Sequence, residues 1–328
     1  MCEVAQRASQ ILRLLIWTVP GDFAYDLLGR WFRAQQRHGL VGGVAAAGFV
    51  VNVLTNLALH RFSAGSGFVS FGPVLGLFLQ NTLLACLLLG GVARMKLVKV
   101  PPLAVLSSSS AMLYTGISSM LWTCAELWAW EAQVFEADQL GFGRAASYAL
   151  LSSIYSLLIM IPVGGSFALN ALAGEALGKG DVVQSRRVTE LGLAVACSSA
   201  VIYGAAVVLA RRSVASIVCG GVHQVEADVI EALPVLMGMQ VLDALFNNLK
   251  AWLILRKYQL SGAVMSVGIY YLFGLPLGFF LAFHRSYGVT GLWLGLAAAL
   301  SLGVLISAAL VIRDFRDLAR SYTSLDLH

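Results

Sequence analysis

Charged side chains are scarce in this sequence. Only 12% of the 328 residues are Asp, Glu, Lys or Arg, whereas soluble proteins carry about 25%. Hydrophobic residues make up 59% of the chain, and the mean hydropathy is +0.80. This composition excludes a soluble enzyme and a disordered chain. It predicts a polytopic membrane protein.

Cysteine and histidine are also sparse, with five residues of each. The cysteines have no repeated spacing, and Cys86, Cys124 and Cys197 lie inside apolar runs, where a thiol behaves as a small hydrophobic group. The histidines are scattered, without a pair at the spacing of metal ligands. We therefore expect no disulfide framework, no metal site and no cofactor.

A phosphate-binding loop is missing as well. Gly174–Lys179 resembles one superficially, but its glycines are one residue too close, and Gly180 stands where Ser or Thr is required. The net charge of +5 does not indicate nucleic-acid binding, because the basic residues lie in short loops between apolar runs. Because the sequence has no phosphate-binding loop for a nucleotide, any pumping must draw on an ion gradient.

Long apolar runs dominate what remains. A helix that crosses a bilayer needs about 20 mostly apolar residues, and lipid offers no hydrogen-bond partner to the backbone of any open structure. The predicted fold class is therefore all-α, a polytopic membrane protein with about nine transmembrane helices. The predicted spans are 9–32, 39–60, 68–93, 108–135, 146–171, 188–210, 229–255, 260–283 and 287–312.

Two polar segments interrupt this pattern. Residues 94–110 hold three basic residues, two prolines and four consecutive serines. We predict a linker there, which separates a lobe of three helices, 1–100, from a lobe of six, 101–328. Residues 174–187 form a second segment rich in glycine and charge, for which we predict a loop.

Basic residues are distributed unevenly between the two sets of loops, with thirteen on one side of the predicted spans and five on the other. The positive-inside rule places the richer side, and with it the C-terminus, in the cytoplasm. We expect a multi-pass protein of the plasma membrane or of a vesicular membrane. The richer side holds Arg33, Arg37, Arg94, Lys96, Lys99, Lys179, Arg186, Arg187, Arg256, Lys257, Arg313, Arg316 and Arg320.

The first three spans resemble the last three. A Val-Pro pair before Asp26 corresponds to a Leu-Pro pair before Asp243, and the stretches from Gly67 and Gly288 both end in G-x-x-x-G. Spans four to six have no such partner, so a fully duplicated chain would need three more helices before Met1. Duplicated halves are typical of secondary transporters, whose substrate path lies between the halves.

Acidic residues inside the spans are the sharpest functional signal, because an unpaired charge there costs about 3 kcal/mol. Glu126 and Glu131 lie five residues apart and therefore point about 140° apart on a helix. Asp243 and Asn247 lie four residues apart and share a face. A carboxylate in a low-dielectric site can take up and release protons, or pair with a cationic substrate.

A structural role is the alternative for these acids. In that interpretation they are paired with Lys250 or capped by Asn and Ser side chains. We favour it for Asp22 and Asp26, which lie near the end of the first span. Trp128, Trp130, Tyr270 and Tyr271 could stack on a flat organic cation, or anchor the helices at the membrane interface. The predicted relay and substrate-binding residues are Glu126, Glu131, Asp243, Asn247, Trp130 and Tyr271.

Three stretches resemble motifs of one transporter family. They are Glu126–Glu131 (ELWAWE), residues 162–180 (PVGGSFALNALAGEALGKG) and residues 240–281, in which Tyr-Tyr-x-x-Gly-x-Pro-x-Gly is the most specific piece. Residues 113–312 look like the second half of a multidrug and toxic compound extrusion (MATE) transporter. Residues 30–35 resemble the end of the family's fourth helix, so the resemblance covers nearly the whole chain.

The resemblance implies two six-helix lobes around a central cleft, of which this chain would hold the second half of one lobe and all of the other. It implies export of small organic compounds, often cationic or xenobiotic, in exchange for H⁺ or Na⁺, and no enzymatic activity. In eukaryotic-type members, acids of the seventh and tenth helices serve the relay. These positions fall on Glu126, Glu131 and Asp243, whereas Lys250 is a cation that the family pattern does not predict.

Two other functions stay open. A lipid or polysaccharide flippase of the same superfamily would keep the fold, but a basic cavity would suit its cargo better than net acidic spans. The other is a truncated, non-transporting subunit or remnant that pairs with a longer homologue. The reason to consider it is that the family pattern places three helices before Met1. Small organic solutes and the lipid bilayer are the expected partners in the leading interpretation.

Overall fold

The described residues of the protein form helices joined by short turns. No strand occurs among them, so the all-α prediction is confirmed. The helices group into two compact units, Met1–Pro101 and Pro102–His328. The computed structural model describes residues 2–35, 37–62, 72–93 and 102–325.

The described residues of the first unit form four helices with a small apolar core. A single 3₁₀ turn, Ile16–Thr18, separates the first two, and the Thr18 hydroxyl donates to the Leu15 carbonyl at 2.8 Å. This core is a cluster of the buried side chains Phe32, Val41, Val44, Leu84 and Leu88. Its helices are α1 (Cys2–Leu15), α2 (Val19–Ala34), α3 (His38–Phe62) and α4 (Gly72–Ala93).

The second unit contains the remaining helices. Two π-helical stretches, Val267–Gly274 and Phe280–His284, flank the short helix that carries Pro276. Proline lacks the N–H that a regular helix needs, which accounts for part of this irregularity. The helices are α5 (Pro102–Gln139), α6 (Phe142–Gly178), α7 (Val182–Leu209), α8 (Arg211–Cys219), α9 (His223–Leu255), α10 (Gln259–Ser266), α11 (Leu275–Phe279) and α12 (Gly288–Leu325).

The two predicted polar segments are more helical than expected. Residues 94–101 lie outside the described residues, but the serine run of the predicted linker belongs to α5. The prediction of a loop at 174–187 is wrong. Most of these residues belong to α6 or α7, and only three residues separate the two helices. Charged pairs one turn apart support the helix ends, with Lys179 bonded to Glu175 and Arg186 to Glu190, each at 2.7 Å.

Seven helices within the described residues are long and apolar enough to cross a membrane. The predicted count of nine is not confirmed. The run predicted at 9–32 is divided by the 3₁₀ turn, and the run at 108–135 lies within α5, which carries four acidic residues in its last 14 positions. The other seven predicted runs each overlap one of these helices.

Much of the apolar surface of these helices is exposed rather than packed. Leu209 is 87% exposed and Leu272 is 79% exposed, and many other large aliphatic and aromatic side chains resemble them. In water an apolar surface of this extent would promote aggregation. In a bilayer it is the surface that contacts lipid, which agrees with the composition of the chain.

Helix α9 lies at the centre of the second unit, where it packs against α6, α7 and α12. Its buried side chains occur on all sides, unlike those of a surface helix, which are confined to one stripe. Leu233, Leu236 and Phe246 are each at most 1% exposed. A polar or ionisable residue in the buried part of α9 is therefore enclosed by protein rather than by lipid.

Helices α11 and α12 approach closely through glycine. A Cβ atom added to Gly295 would lie 2.4 Å from the Cα of Gly278 and 2.6 Å from the carbonyl oxygen of Gly274. One added to Gly291 would lie 2.6 Å from the backbone nitrogen of Ala282. The G-x-x-x-G pattern noted in the sequence is thus a helix-packing surface, as is common in membrane proteins.

Gly295→Ala is expected to lower the free energy of unfolding by about 2 kcal/mol, because the methyl group meets backbone atoms that cannot turn aside. The measurement is the thermal unfolding midpoint of the purified protein in detergent. Gly268→Ala is the matched control, since its Cβ would meet no atom within 4 Å. Equal midpoints for the two variants would show that the close approach of α11 and α12 does not matter for stability.

A buried carboxylate joins the end of α9 to α12. Asp314, whose side chain is 3% exposed, accepts hydrogen bonds from Trp252 Nε1 at 3.0 Å and from Arg256 Nε at 2.8 Å. The Tyr258 hydroxyl approaches the same carboxylate at 3.4 Å. Burial and the Asp314 carboxylate raise the pKa of Tyr258, so its hydroxyl stays protonated and donates. These bonds fix the α9–α10 connection.

Candidate functional site

Asp243 is a buried acid in the middle of α9. The residue is 5% exposed, and its carboxylate accepts a hydrogen bond from the Tyr155 hydroxyl of α6. Asn247, one turn further along α9, donates to the Asp243 carboxylate at 2.9 Å and to its backbone carbonyl at 3.0 Å. Each donor stabilises the ionised carboxylate without supplying a positive charge.

Tyr155 is held in place from two directions. Gln240 of α9 donates to the backbone carbonyl of Tyr155 at 3.0 Å and accepts from the Tyr203 hydroxyl of α7 at 3.1 Å. The ring of Trp130 stacks on the ring of Tyr155 with centroids 4.6 Å apart, and Trp293 lies beside both. The hydroxyl that bonds Asp243 is thus positioned by groups from four helices.

A second acid, Glu126 of α5, forms an ion pair with Lys250 of α9. The two side chains are 17% and 13% exposed, so the pair is largely shielded from solvent. Ser266 donates to the other Glu126 oxygen at 3.3 Å, and the Lys250 ammonium lies 5.0 Å from the centre of the Trp122 ring. The ammonium therefore has both a carboxylate and an aromatic face as partners.

Glycine makes room for that aromatic face. A Cβ added to Gly262 of α10 would lie 2.2 Å from the Trp122 ring. Trp122 is itself only 1% exposed. The side chain that covers Lys250 therefore depends on a glycine in the neighbouring helix, which leaves a space that the indole fills.

The carboxylate site, defined as Glu126, Tyr155, Asp243, Asn247 and Lys250, contains two acids and one base. Glu126 and Lys250 both interact electrostatically with Asp243. When Glu126, Asp243 and Lys250 are all ionised, the net charge of the site is −1. Its charge is balanced when it binds one proton or one additional cation.

The segment of the chain that holds the carboxylate site matches a known protein family. Residues 119–280 match the MatE family, and this segment includes every member of the carboxylate site. The chain belongs to the MATE family. Multidrug and toxin extrusion protein 1 of Homo sapiens and that of Pongo abelii are each 28% identical to the chain over 305 residues, which cover 90% of it.

The solved structures that resemble this MATE chain share its fold. The crystal structure of the eukaryotic MATE transporter AtDTX14 has a TM-score of 0.84 at 23% identity, and covers 97% of this chain and 72% of the other. A MATE crystal structure in the bent conformation has a TM-score of 0.77 at 16% identity, with coverage of 97% and 70%. The predicted MATE-like fold is confirmed, in a family of membrane transporters rather than enzymes.

This MATE chain spans about half the length of the curated relatives it matches. The aligned region covers 52% of multidrug and toxin extrusion protein 1 from either primate. The match therefore does not transfer the activity and the substrates of the whole relatives to this chain.

The structure brings some of the predicted MATE site residues together and separates others. Asp243 contacts Asn247 directly, and Trp130 reaches it through Tyr155. Glu131 is exposed, whereas Glu126 is enclosed, as their angular separation on a helix predicts. Glu131 is consequently no part of the carboxylate site.

The adjacent tyrosines of α10–α11 differ in the same way. Tyr270 is 2% exposed and interacts electrostatically with Glu126 and Asp243. Tyr271, which the sequence favoured, is half-buried and interacts with Cys124. Trp128 is 66% exposed and faces away from the packed interior. Tyr270 is thus the tyrosine of this pair that lies nearer the acids.

The two acids of the first unit have local partners. Asn81 of α4 donates to Asp22 of α2, and Arg30 donates to Asp26 across one helical turn at 2.8 Å. Asp26 and Arg30 are both more than half exposed. Both acids are thus bonded to neighbouring side chains, which agrees with the structural interpretation given to them, although an exposed pair such as Asp26–Arg30 contributes little free energy.

One member of the carboxylate site, Tyr155, and two residues that contact the site, Trp122 and Ser266, carried no signal in the sequence. Tyr155 and Trp122 each stand among apolar residues without a distinctive spacing, and Ser266 is one of many serines in the spans. Their proximity to the acids arises from the crossing of α5, α6, α9 and α10. They could have been found only from the way in which helices distant in the chain cross. Tyr155 and Asp243, for example, are separated by more than 80 residues in the sequence.

Proposed function

We propose that this MATE chain is part of a secondary active antiporter that exports small organic, often cationic compounds in exchange for H⁺ or Na⁺. The single observation that carries the proposal is the charge balance of the carboxylate site. Two acids face one ammonium inside the membrane-spanning part of the second unit. Such a site binds one further cation at a time, so the coupling ion and a cationic substrate compete for it. Exchange requires this competition, because binding of one cation then releases the other.

Within this proposal we give the residues of the carboxylate site distinct roles, which their contacts support. Asp243 has neutral hydrogen-bond donors only, so it is the group that we assign to the coupling ion. Glu126 is already neutralised by Lys250 and acts as a second acid, available when that pair opens. Trp130 holds the ring of Tyr155, and we assign it to positioning rather than to direct contact with the coupling ion.

Vesicle transport tests this proposal directly. The purified chain is reconstituted into liposomes, a pH gradient or a Na⁺ gradient is imposed, and uptake of radiolabelled tetraethylammonium is followed. We expect uptake against the concentration gradient of the probe with one of the two ion gradients. Addition of an ionophore that dissipates that gradient is expected to abolish it.

The result that would contradict the proposal is uptake that is insensitive to both gradients, or no uptake above that of protein-free vesicles. Because the chain spans about half the length of its relatives, the same assay is run after co-reconstitution with a full-length relative carrying an inactivating substitution. Transport in the mixture alone would favour the alternative of a partner subunit. Uptake of a lipid-linked probe instead of tetraethylammonium would favour the flippase.

We also propose that the C-terminus faces the cytoplasm of a plasma or vesicular membrane. The asymmetry of basic residues supports this orientation, since Lys179, Arg186 and Arg256 fall at helix ends on the same side as the end of α12. Accessibility of a C-terminal tag to protease, in sealed and in permeabilised vesicles, measures it. Cleavage in sealed vesicles of right-side-out orientation, without permeabilisation, would reverse the assignment.

A further inference from the structure

A cleft of about 400 Å³ opens on the surface of the second unit between α7 and α12, over part of α9. It shares no residue with the carboxylate site. Its walls are apolar for most of their depth and become charged at one end. The apolar residues that line it include Leu193, Leu249, Val311, Ile312 and Phe315.

Two arginines stand at the charged end of the cleft. Arg186 is bonded to Glu190 at 2.7 Å, and both side chains are more than half exposed. Arg316 has no ion-pair partner within residues 102–325. The rim of the cleft thus carries two positive charges and one negative charge, and one arginine is available to an anion.

The position of these groups along the helices determines what solvent surrounds them. Arg186 lies in the second turn of α7, and Leu193 lies seven residues further along, about 10 Å deeper. Both helices of the cleft are long and apolar enough to cross a membrane. The arginines therefore lie toward the ends of the two spans, and the apolar walls lie within the hydrocarbon region.

We propose that this cleft is a binding site for an anionic phospholipid, with the phosphate between Arg186 and Arg316 and an acyl chain along the apolar wall. A lateral cleft at this depth is open to lipid rather than to water, so its apolar part is filled by a chain. A basic rim above such a wall selects negatively charged headgroups. The planar, multi-donor guanidinium group binds the phosphate oxygens. A zwitterionic headgroup has the same phosphate but adds an ammonium that repels the arginines, so the headgroup with a net negative charge is favoured.

Native mass spectrometry and lipid titration in detergent micelles test the proposal, with phosphatidylglycerol and phosphatidylcholine as probes. We expect phosphatidylglycerol to bind more tightly than phosphatidylcholine, and Arg316→Gln to weaken it about fivefold. Arg313→Gln is the matched control, because it removes the same charge from the same helix outside the cleft. Its affinity is expected to equal that of the unchanged protein.

Glu190→Gln gives a test of opposite sign. It frees Arg186 from its 2.7 Å ion pair, so phosphatidylglycerol is expected to bind more tightly. Ala308→Phe fills the cleft without a change of charge and is expected to weaken binding of the same lipid. Each variant is compared by its thermal midpoint without lipid, so that a fold defect is recognised independently.

Three outcomes would overturn the proposal. Equal losses in Arg316→Gln and Arg313→Gln would show that binding reflects net charge alone. Equal affinity for the two lipids would show that the rim does not select headgroups. Displacement of phosphatidylglycerol by millimolar inorganic phosphate, with no loss in Ala308→Phe, would identify a site for soluble anions instead of lipid.

Discussion

Asp243→Asn is expected to reduce gradient-driven uptake of tetraethylammonium to the level of protein-free vesicles. The amide retains the shape of the carboxylate, and its oxygen still accepts from Asn247, which donates at 2.9 Å in the present structure. The Tyr155 hydroxyl can rotate to accept from the new amide group. The substitution therefore removes the charge and the capacity to bind a proton, while the packing of α9 is retained.

The control for this prediction lies on the same helix. Glu231 is an exposed acid of α9, three turns before Asp243, and Glu231→Gln makes the same chemical change outside the carboxylate site. Its uptake is expected to match that of the unchanged chain. Thermal midpoints of both variants are measured alongside, because a common fall in stability would explain a loss of transport without any relay.

Tyr155→Phe separates coupling from positioning. It removes one hydrogen bond from Asp243 but leaves a carboxylate that can still be protonated. Transport is expected to persist with an altered dependence on pH, in contrast to the loss in Asp243→Asn.

Full uptake in Asp243→Asn under a pH gradient and under a Na⁺ gradient would remove Asp243 from the proposed mechanism.

Local spacing explains which features of the site the sequence could predict. Asp243 and Asn247 are neighbours on one helix face, and Glu126 and Glu131 diverge on theirs, because both relations depend only on the helical repeat. The G-x-x-x-G pattern of α12 likewise marks a close helix contact that the structure shows at Gly295. These are properties of single helices, and composition had already indicated that the spans are helical.

Relations between distant helices explain what the sequence could not predict. Lys250 pairs with Glu126, 124 residues away, and Tyr155 bonds Asp243, 88 residues away. The sequence offered Lys250 as a possible partner for the acids of the spans as a group. It could not show which acid Lys250 pairs with, or which hydroxyl bonds Asp243, because both depend on how the helices cross. The choice between Tyr270 and Tyr271 depends in the same way on the local π-helical stretch, which changes the angle between successive side chains.

Lys250→Met is expected to lower the free energy of unfolding by about 3 kcal/mol, because it leaves the Glu126 carboxylate without its positive partner. Methionine keeps most of the aliphatic stem, so the contact with Trp122 is largely preserved. The measurement is the thermal unfolding midpoint in detergent. Removal of one member of a shielded ion pair costs more than removal of both, since only the former leaves an uncompensated charge.

The double variant Glu126→Gln/Lys250→Met completes the cycle. It is expected to unfold near the midpoint of the unchanged protein, and the difference from the sum of the single effects gives the coupling of the pair. The control pair is Glu175 and Lys179, which are 42% and 70% exposed and bonded at 2.7 Å. Substitution of Lys179 by Met is expected to cost less than about 1 kcal/mol, because solvent screens an exposed pair.

Transport by the same double variant decides between the two interpretations of Glu126. If Glu126 only neutralises Lys250, the double variant retains a stable fold and an intact Asp243, and it transports as well as the unchanged chain. If Glu126 takes part in exchange when its pair opens, uptake falls although the thermal midpoint is retained. A retained midpoint is therefore the condition under which the transport result assigns Glu126 a structural or a coupling role.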